Sequence, residues 1–436
     1  MTSLTLDDTT HSPLGSNDFS SWTNGRSIKS FGTNAGAKPI PFQEWHKFKE
    51  AFAPELIAFA VESSAIPVKR ILDPFGGSGT TSLAAQFLDI HPITSEVNPF
   101  LADVIEAKLT SYDTDELVRD LGIVARMSKR RKRSPHKYFA HCPETFIEPG
   151  KNGRWIFNEK IAARIAGILS SIETLPDHHH QRLFRIILSG LLIRFSNVRI
   201  SGKGRRYRTS IDAHSVTPDE LLYKFCDSVK KAIVEIHTHA RRRGKSFDLL
   251  RGDSRELLTT LDPVDLIVFS PPYPNSFDYT DVYNIELWML GYLKESAQNR
   301  ALRMATLSSH VQIHRNFSPA PTESKTLKRT LSSLNGAREI LWDAALPEMV
   351  GAYFSDMTKI LQDCYTTLRK KGALWMVVGD SRYANIHIDV PKILCELAPA
   401  LGYRVDSTEP FRSMRSSPQQ GGRKELAESL VILSKD

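Results

Sequence analysis

Ser270, Pro271, Pro272 and Tyr273 bring a hydroxyl, two rigid carbonyl-bearing residues and a flat ring to the end of an apolar run, Asp265 to Phe269. Consecutive prolines have a fixed φ and no N–H to donate, so a strand must stop there and open into a stiff loop. Such a loop offers acceptors and a stacking surface at the carboxyl edge of a sheet, where ligands of open α/β sheets bind. Taken by itself, the tetrapeptide is equally a proline-stiffened surface turn. A second candidate is Asp73-Pro74-Phe75-Gly76-Gly77-Ser78-Gly79-Thr80-Thr81, between a short strand (Val68 to Leu72) and an apolar helix (Ser82 to Leu88). That order lets a ligand approach backbone N–H groups at a helix N-terminus. No Lys-Ser/Thr pair follows the glycines, which argues against a phosphate-cradling P-loop. Glu96, at the end of the next strand and just before Asn98, stands where a dinucleotide-type fold places a carboxylate for ribose hydroxyls, or is an ordinary strand-end carboxylate.

The elements that position these residues read as an α/β fold, a mainly parallel sheet with helices on both faces. Residues 1–38 are rich in Ser, Thr, Asn and Gly and read as a flexible arm. Residues 39–110 read as the first part of this fold. Residues 111–246 break the strand-helix alternation and read as a mostly helical basic insertion, after which 247–436 resume the α/β pattern. Within the last part, Tyr283 to Tyr292 reads as an aromatic-rich helix, and residues 293–340 lose periodicity and read as a mobile insertion. His178-His179-His180 is a helix start, because adjacent residues do not converge on one ion; no metal site is expected.

A chain of 436 residues with 41% hydrophobic and 24% charged residues can build and cover the cores of two or three units. No apolar run approaches the ~20 residues that span a bilayer, and Met1 to Asn34 has no signal-peptide core, so no membrane partner and a cytoplasmic location are expected. The four cysteines lie far apart, without a C-x-x-C pair. Net charge is +8 and it is clustered. Lys129, Arg130, Arg131, Lys132 and Arg133 form one block, Arg199, Lys203, Arg205, Arg206 and Arg208 a second, and Arg241, Arg242 and Arg243 a third. A single run of this kind is often a solvated face, but three within one segment point to a polyanionic partner.

The pairing of Asp73–Thr81 with Ser270–Tyr273 resembles the cofactor and catalytic signatures of the S-adenosylmethionine-dependent DNA amino-methyltransferases. The resemblance covers residues 42–100 and 248–436. It implies a Rossmann-like class I methyltransferase fold and S-adenosyl-L-methionine held by Asp73, Pro74, Phe75, Gly77, Gly79, Thr80, Thr81, Glu96 and Asn98. Trp45 and Phe52 fall in a segment similar to an additional cofactor motif, though the same segment can simply pack on the core. Asp253 is implied at the adenine amino group, while Asp253-Ser254 also reads as a helix N-cap. The partner implied is double-stranded DNA, read through the basic insertion, with a restriction-modification or phage-defence setting and a cognate endonuclease.

An exocyclic amino nitrogen is a poor nucleophile while its lone pair is delocalised into the base. Acceptors for both amino protons, such as Ser270 and the Pro271 carbonyl, draw it toward tetrahedral geometry, and Tyr273 would stack on a base flipped out of the duplex. Serine at the first motif position resembles the N4-cytosine enzymes, whereas aspartate or asparagine is commoner in the N6-adenine enzymes. An RNA or tRNA amino-methyltransferase, a non-catalytic DNA-binding scaffold and a nicotinamide oxidoreductase are the rival readings, and only the first gives Ser-Pro-Pro-Tyr a role.

Overall fold

The computed structural model describes residues 17–26, 28, 31–32, 40–48, 51–131, 133–201, 204–208, 216–240, 246–415 and 425–436. Seven strands form the main sheet: Arg70–Asp73 (β1), His91–Glu96 (β2), Asp248–Arg251 (β3), Val264–Phe269 (β4), Leu368–Gly379 (β5), Arg404–Arg415 (β6) and Glu425–Ser434 (β7). Their order is β6-β7-β5-β4-β1-β2-β3. The pairs from β5 through β3 are parallel, and β7 runs antiparallel to both β5 and β6. β4 is buried along its whole length, which is why its sequence is continuously apolar after Asp265. Its alternate side chains enter two cores: Leu266 and Val268 face one, Ile267 and Phe269 the other. Asp265 is buried too, but its carboxylate accepts the Lys69 and Arg70 N–H groups at 2.8 and 2.9 Å and pairs with Arg369 at 2.8 Å. This carboxylate ties the starts of β1, β4 and β5 at the edge opposite the loops. The strand order reverses between β1 and β4, so the carboxyl ends of these two strands, Asp73 and Phe269, open onto the switch-point crevice.

Four expectations change or gain detail. The arm reading fails for Asn17–Thr23, a helix whose Phe19 and Trp22 are fully buried; Trp22 stacks on Phe87 with ring centroids 4.4 Å apart. Two aromatics in a polar stretch were enough to anchor it. The basic insertion is helical at Thr114–Arg130, Glu159–Ile172, His178–Leu192 and Pro218–Thr238, but it also contains a hairpin, Val198–Ser201 against Gly204–Tyr207. Residues 293–340 are structured, with helices Ser296–Ala305 and Lys325–Gly336. Their polar residues point inward as anchors, which hides the apolar periodicity. Arg315 bonds the Arg303 and Thr306 carbonyls at 2.8 and 3.0 Å, the Ser308 N–H donates to Asp356 at 2.8 Å, and the Ser324 hydroxyl donates to Glu396 at 2.7 Å. The aromatic-rich helix expected from Tyr283 is split into Tyr279–Val282 and Asn284–Met289. His178–His180 do open a helix capped by Asp177, but His180 is buried and bonded to Asp120 at 2.7 Å.

Candidate active site

A cavity of about 420 Å³ occupies the crevice outside β1, β2 and β4. The loop after β1 supplies one wall. Gly77 has φ +53° and Gly79 φ +80°, a conformation that glycine adopts without strain, and this turns the chain into helix Thr80–Phe87. A Cβ at Gly77 would come within 3.1 Å of the Phe48 ring, so the turn and that ring together narrow the mouth. Asp73, Pro74, Phe75, Gly77 and Thr80 line the cavity. Gly79 and Thr81 do not: Gly79 is the left-handed residue that starts the helix, and the Thr81 hydroxyl bonds the Val268 carbonyl at 3.4 Å. Trp45 is absent from the lining as well. Its indole donates to Glu235 at 2.7 Å, away from the crevice, while Phe48 and Phe52 of the same segment reach it.

Glu96 ends β2 inside the cavity and is only 8% exposed. Its carboxylate accepts the Gly77 N–H at 2.7 Å and the Asn98 N–H at 2.8 Å. Burial pushes its pKa up to about 7 against these two bonds, with the nearby Asp73 charge adding to the rise. Asp73 is likewise raised by burial, to about 6. A carboxylate has about four lone-pair sites, so Glu96 retains capacity for two hydroxyl donors. Asn98 caps helix Pro99–Leu109, accepting the Phe100 N–H at 3.0 Å. Asp253 lines the opposite side, but its carboxylate already accepts the Arg255 N–H and side chain at 3.0 Å, so the capping role is the one the geometry displays. A left-handed glycine turn, a ring at its mouth and a buried carboxylate with spare acceptor sites fit an uncharged ribose and its attached base; among the described residues no lysine lines the cavity for a phosphate.

The loop after β4 forms the other half. Ser270, Pro271, Pro272 and Tyr273 all line the cavity. The Ser270 hydroxyl donates to the Val377 carbonyl of β5 at 3.0 Å, and the Tyr273 hydroxyl donates to Glu428 of β7 at 2.8 Å. Glu428 had no motif to announce it. Neither had the far wall, Ala305 to Leu307 with Ser309 and His310, which comes from the segment expected to be mobile. His310 is fully buried, and burial lowers its pKa to about 4. The neighbouring Asp278 is held below the usual carboxylate range by His310, Thr280 and Arg303 despite its burial.

Of the basic residues, Lys129, Arg130, Arg133, Arg199 and Arg206 are exposed. Arg131 bonds the Ser170 carbonyl, and Arg208 bonds the Ser196 carbonyl at 3.2 Å. Arg205 pairs with Asp281 at 3.8 Å, and its strand packs on Tyr279–Val282, the helix that carries the cavity residues Tyr279 and Thr280. Lys203 and the run Arg241 to Arg243 lie outside the described residues.

Residues 13–107 match the N6_N4 methyltransferase family, described as DNA methylase. Over its length the chain is similar to Type II methyltransferase M.BsoBI of Geobacillus stearothermophilus (26% identical, covering 95% of this chain and 89% of that one). It is also similar to Type II methyltransferase M.AvaI of Anabaena variabilis (27% identical, covering 94% and 89%). Among solved structures, an rRNA methyltransferase from Streptomyces viridochromogenes aligns at 9% identity with a TM-score of 0.29 over 89% of this chain and 88% of that one, too distant to argue from. Among the described residues no helix is long and apolar enough to cross a membrane.

Proposed function

We propose, for a chain that is an S-adenosylmethionine-dependent DNA methyltransferase of the amino-methylating class, that the methylated atom is N4 of a cytosine flipped into the crevice. The observation that carries this reading is Ser270 as the first residue of the motif, on the wall of the cavity. The runner-up is N6 of adenine, to which an aspartate or asparagine at this place would have pointed. When bound, the cofactor supplies an electrophilic methyl group. Glu96 would hold its ribose hydroxyls, and the turn around Gly77 its backbone-facing side. Ser270 and the Pro271 carbonyl would accept the amino protons and orient the nitrogen, and Tyr273 would bear on the base. Nucleoside mass spectrometry of DNA treated with the protein is expected to show N4-methylcytosine; N6-methyladenine as the sole product would replace this reading with the runner-up.

Residues 111–246 are proposed as the target-recognition part, with 293–340 closing the base pocket. The hairpin supports this because it joins basic residues to the cavity rim. Arg199 and Arg206 stand opposite each other on its exposed side, two guanidinium groups together on a ribbon that packs beside the cavity. A two-stranded ribbon also fits the major groove. Replacing Arg199 and Arg206 by Gln is expected to weaken DNA binding and to reduce the salt slope by about 2, close to one counterion per lost phosphate contact. An unchanged slope in a salt titration would move the DNA surface elsewhere. The resemblance to Type II enzymes supports a site-specific modification role with a cognate endonuclease as partner.

A further inference from the structure

The hydroxyls of Ser270 and Tyr273 lie 3.3 Å apart on the cavity wall, and the proton of each has a destination. That of Ser270 goes to the Val377 carbonyl at 3.0 Å, and that of Tyr273 to Glu428 Oε1 at 2.8 Å. A hydroxyl carries one proton and two lone pairs. With both protons committed, the pair presents only lone pairs to whatever sits before it. Glu428 is 5% exposed, lines the cavity and is paired through β7 with Gly379 of β5, so its carboxylate is held in place by the sheet. Burial, then the adjacent Glu428, raise the Tyr273 phenol well above its ordinary value, which keeps the proton on the ring oxygen.

We infer that Glu428 is a positioning residue that makes the base pocket selective for an amino group, by drawing the Tyr273 proton onto its own carboxylate and leaving Ser270 and Tyr273 as acceptors. The inference rests on the reading that the reacting group is an exocyclic amine. An amino group brings two protons to a wall that offers acceptors only: the Ser270 oxygen and the Pro271 carbonyl, with the Tyr273 lone pairs beside them. A keto oxygen in the same position would meet lone pairs with no proton between them, and a buried polar mismatch of this kind is among the strongest sources of discrimination available to a site. A carboxylate cannot donate, so Glu428 holds the Tyr273 proton in one direction only. A glutamine there could donate its amide N–H to the Tyr273 oxygen instead, releasing that proton toward Ser270 or the pocket.

The test uses the full chain with S-adenosylhomocysteine and two duplexes that differ only at the methylated base, cytosine against uracil, or adenine against hypoxanthine if adenine is the base modified. Wild type is expected to bind the amino duplex more tightly than the keto duplex. Glu428→Gln is expected to lower that preference ~10-fold or more and to lower kcat, with an unchanged melting temperature and cofactor affinity, while Glu428→Asp keeps most of both. In a Tyr273→Phe background, Glu428→Gln is expected to add nothing, which a merely structural role would not produce. An undiminished preference in Glu428→Gln, or an equal loss in the Tyr273→Phe background, overturns the inference. Absence of any preference in wild type overturns instead the reading of the pocket as an amino-base site.

Discussion

Alanine at position 270 is expected to lower turnover by ~10- to 1000-fold while cofactor affinity stays near wild type, the range for removing one oriented polar group from a transition state. The geometry explains why binding and chemistry should separate. Ser270 sits beyond the end of β4, whereas Glu96 ends β2 and the Gly77 turn follows β1, with the strand-order reversal between β1 and β4. The Ser270 proton is taken by Val377, so the oxygen can only accept from an incoming donor on the cavity side. Removing it leaves Val377 one bond short, a cost of about 1 kcal/mol or a little more that a melting curve would register without unfolding the protein. Single-turnover measurement with cofactor pre-bound is the direct check, and a rate equal to wild type would take Ser270 out of the mechanism.

Loss of the Glu96 carboxylate should act on the other half of the site. Glu96→Ala is expected to weaken cofactor binding roughly 100-fold, the equivalent of one to two charge-assisted hydrogen bonds at ~1.5–3 kcal/mol each. A pH signature accompanies it. The ordinary value for this group is 4.5 and in the unliganded fold it stands at about 7. A carboxyl raised on folding favours the protonated form in the native state, so its contribution to stability falls as pH rises from 4.5 through 7; Asp73 acts in the same sense between 3.8 and about 6. Two ribose hydroxyls would favour the charged form. Cofactor binding is therefore expected to release a proton below pH 7, and affinity to rise with pH through that window and flatten above it. Calorimetry in two buffers of different ionisation enthalpy measures the proton, and Glu96→Gln isolates the contribution of this residue. Equal pH slopes in wild type and Glu96→Gln would assign the titration to another group.

Local chemistry determined what could be read without coordinates. The Asp73–Thr81 turn needs its glycines where the chain turns left-handed, and β4 must stop where two prolines remove its donors. The apolar run after Asp265 must be buried on both faces. Each of these depends on neighbours within a few residues, so sequence alone placed the two loops at strand ends, the strand-helix alternation and Glu96 at the end of its strand. The tertiary structure decided the rest. It turned Trp45 away from the crevice into the core, against Glu235, and brought Phe48 to the cavity instead, because which side of a short aromatic segment faces a cleft depends on what packs behind it. It converted the polar stretch 293–340 into a pocket wall: Arg315 bonds carbonyls within the stretch, while the Ser308 N–H and the Ser324 hydroxyl reach Asp356 and Glu396 on other elements. It also set Glu428 against Tyr273 across 155 positions of chain, a pairing that follows from β7 running antiparallel beside β5 and from nothing in the composition of either segment. Motif and periodicity report short-range constraint, and the partner of a buried proton is settled only when the sheet brings distant strands together.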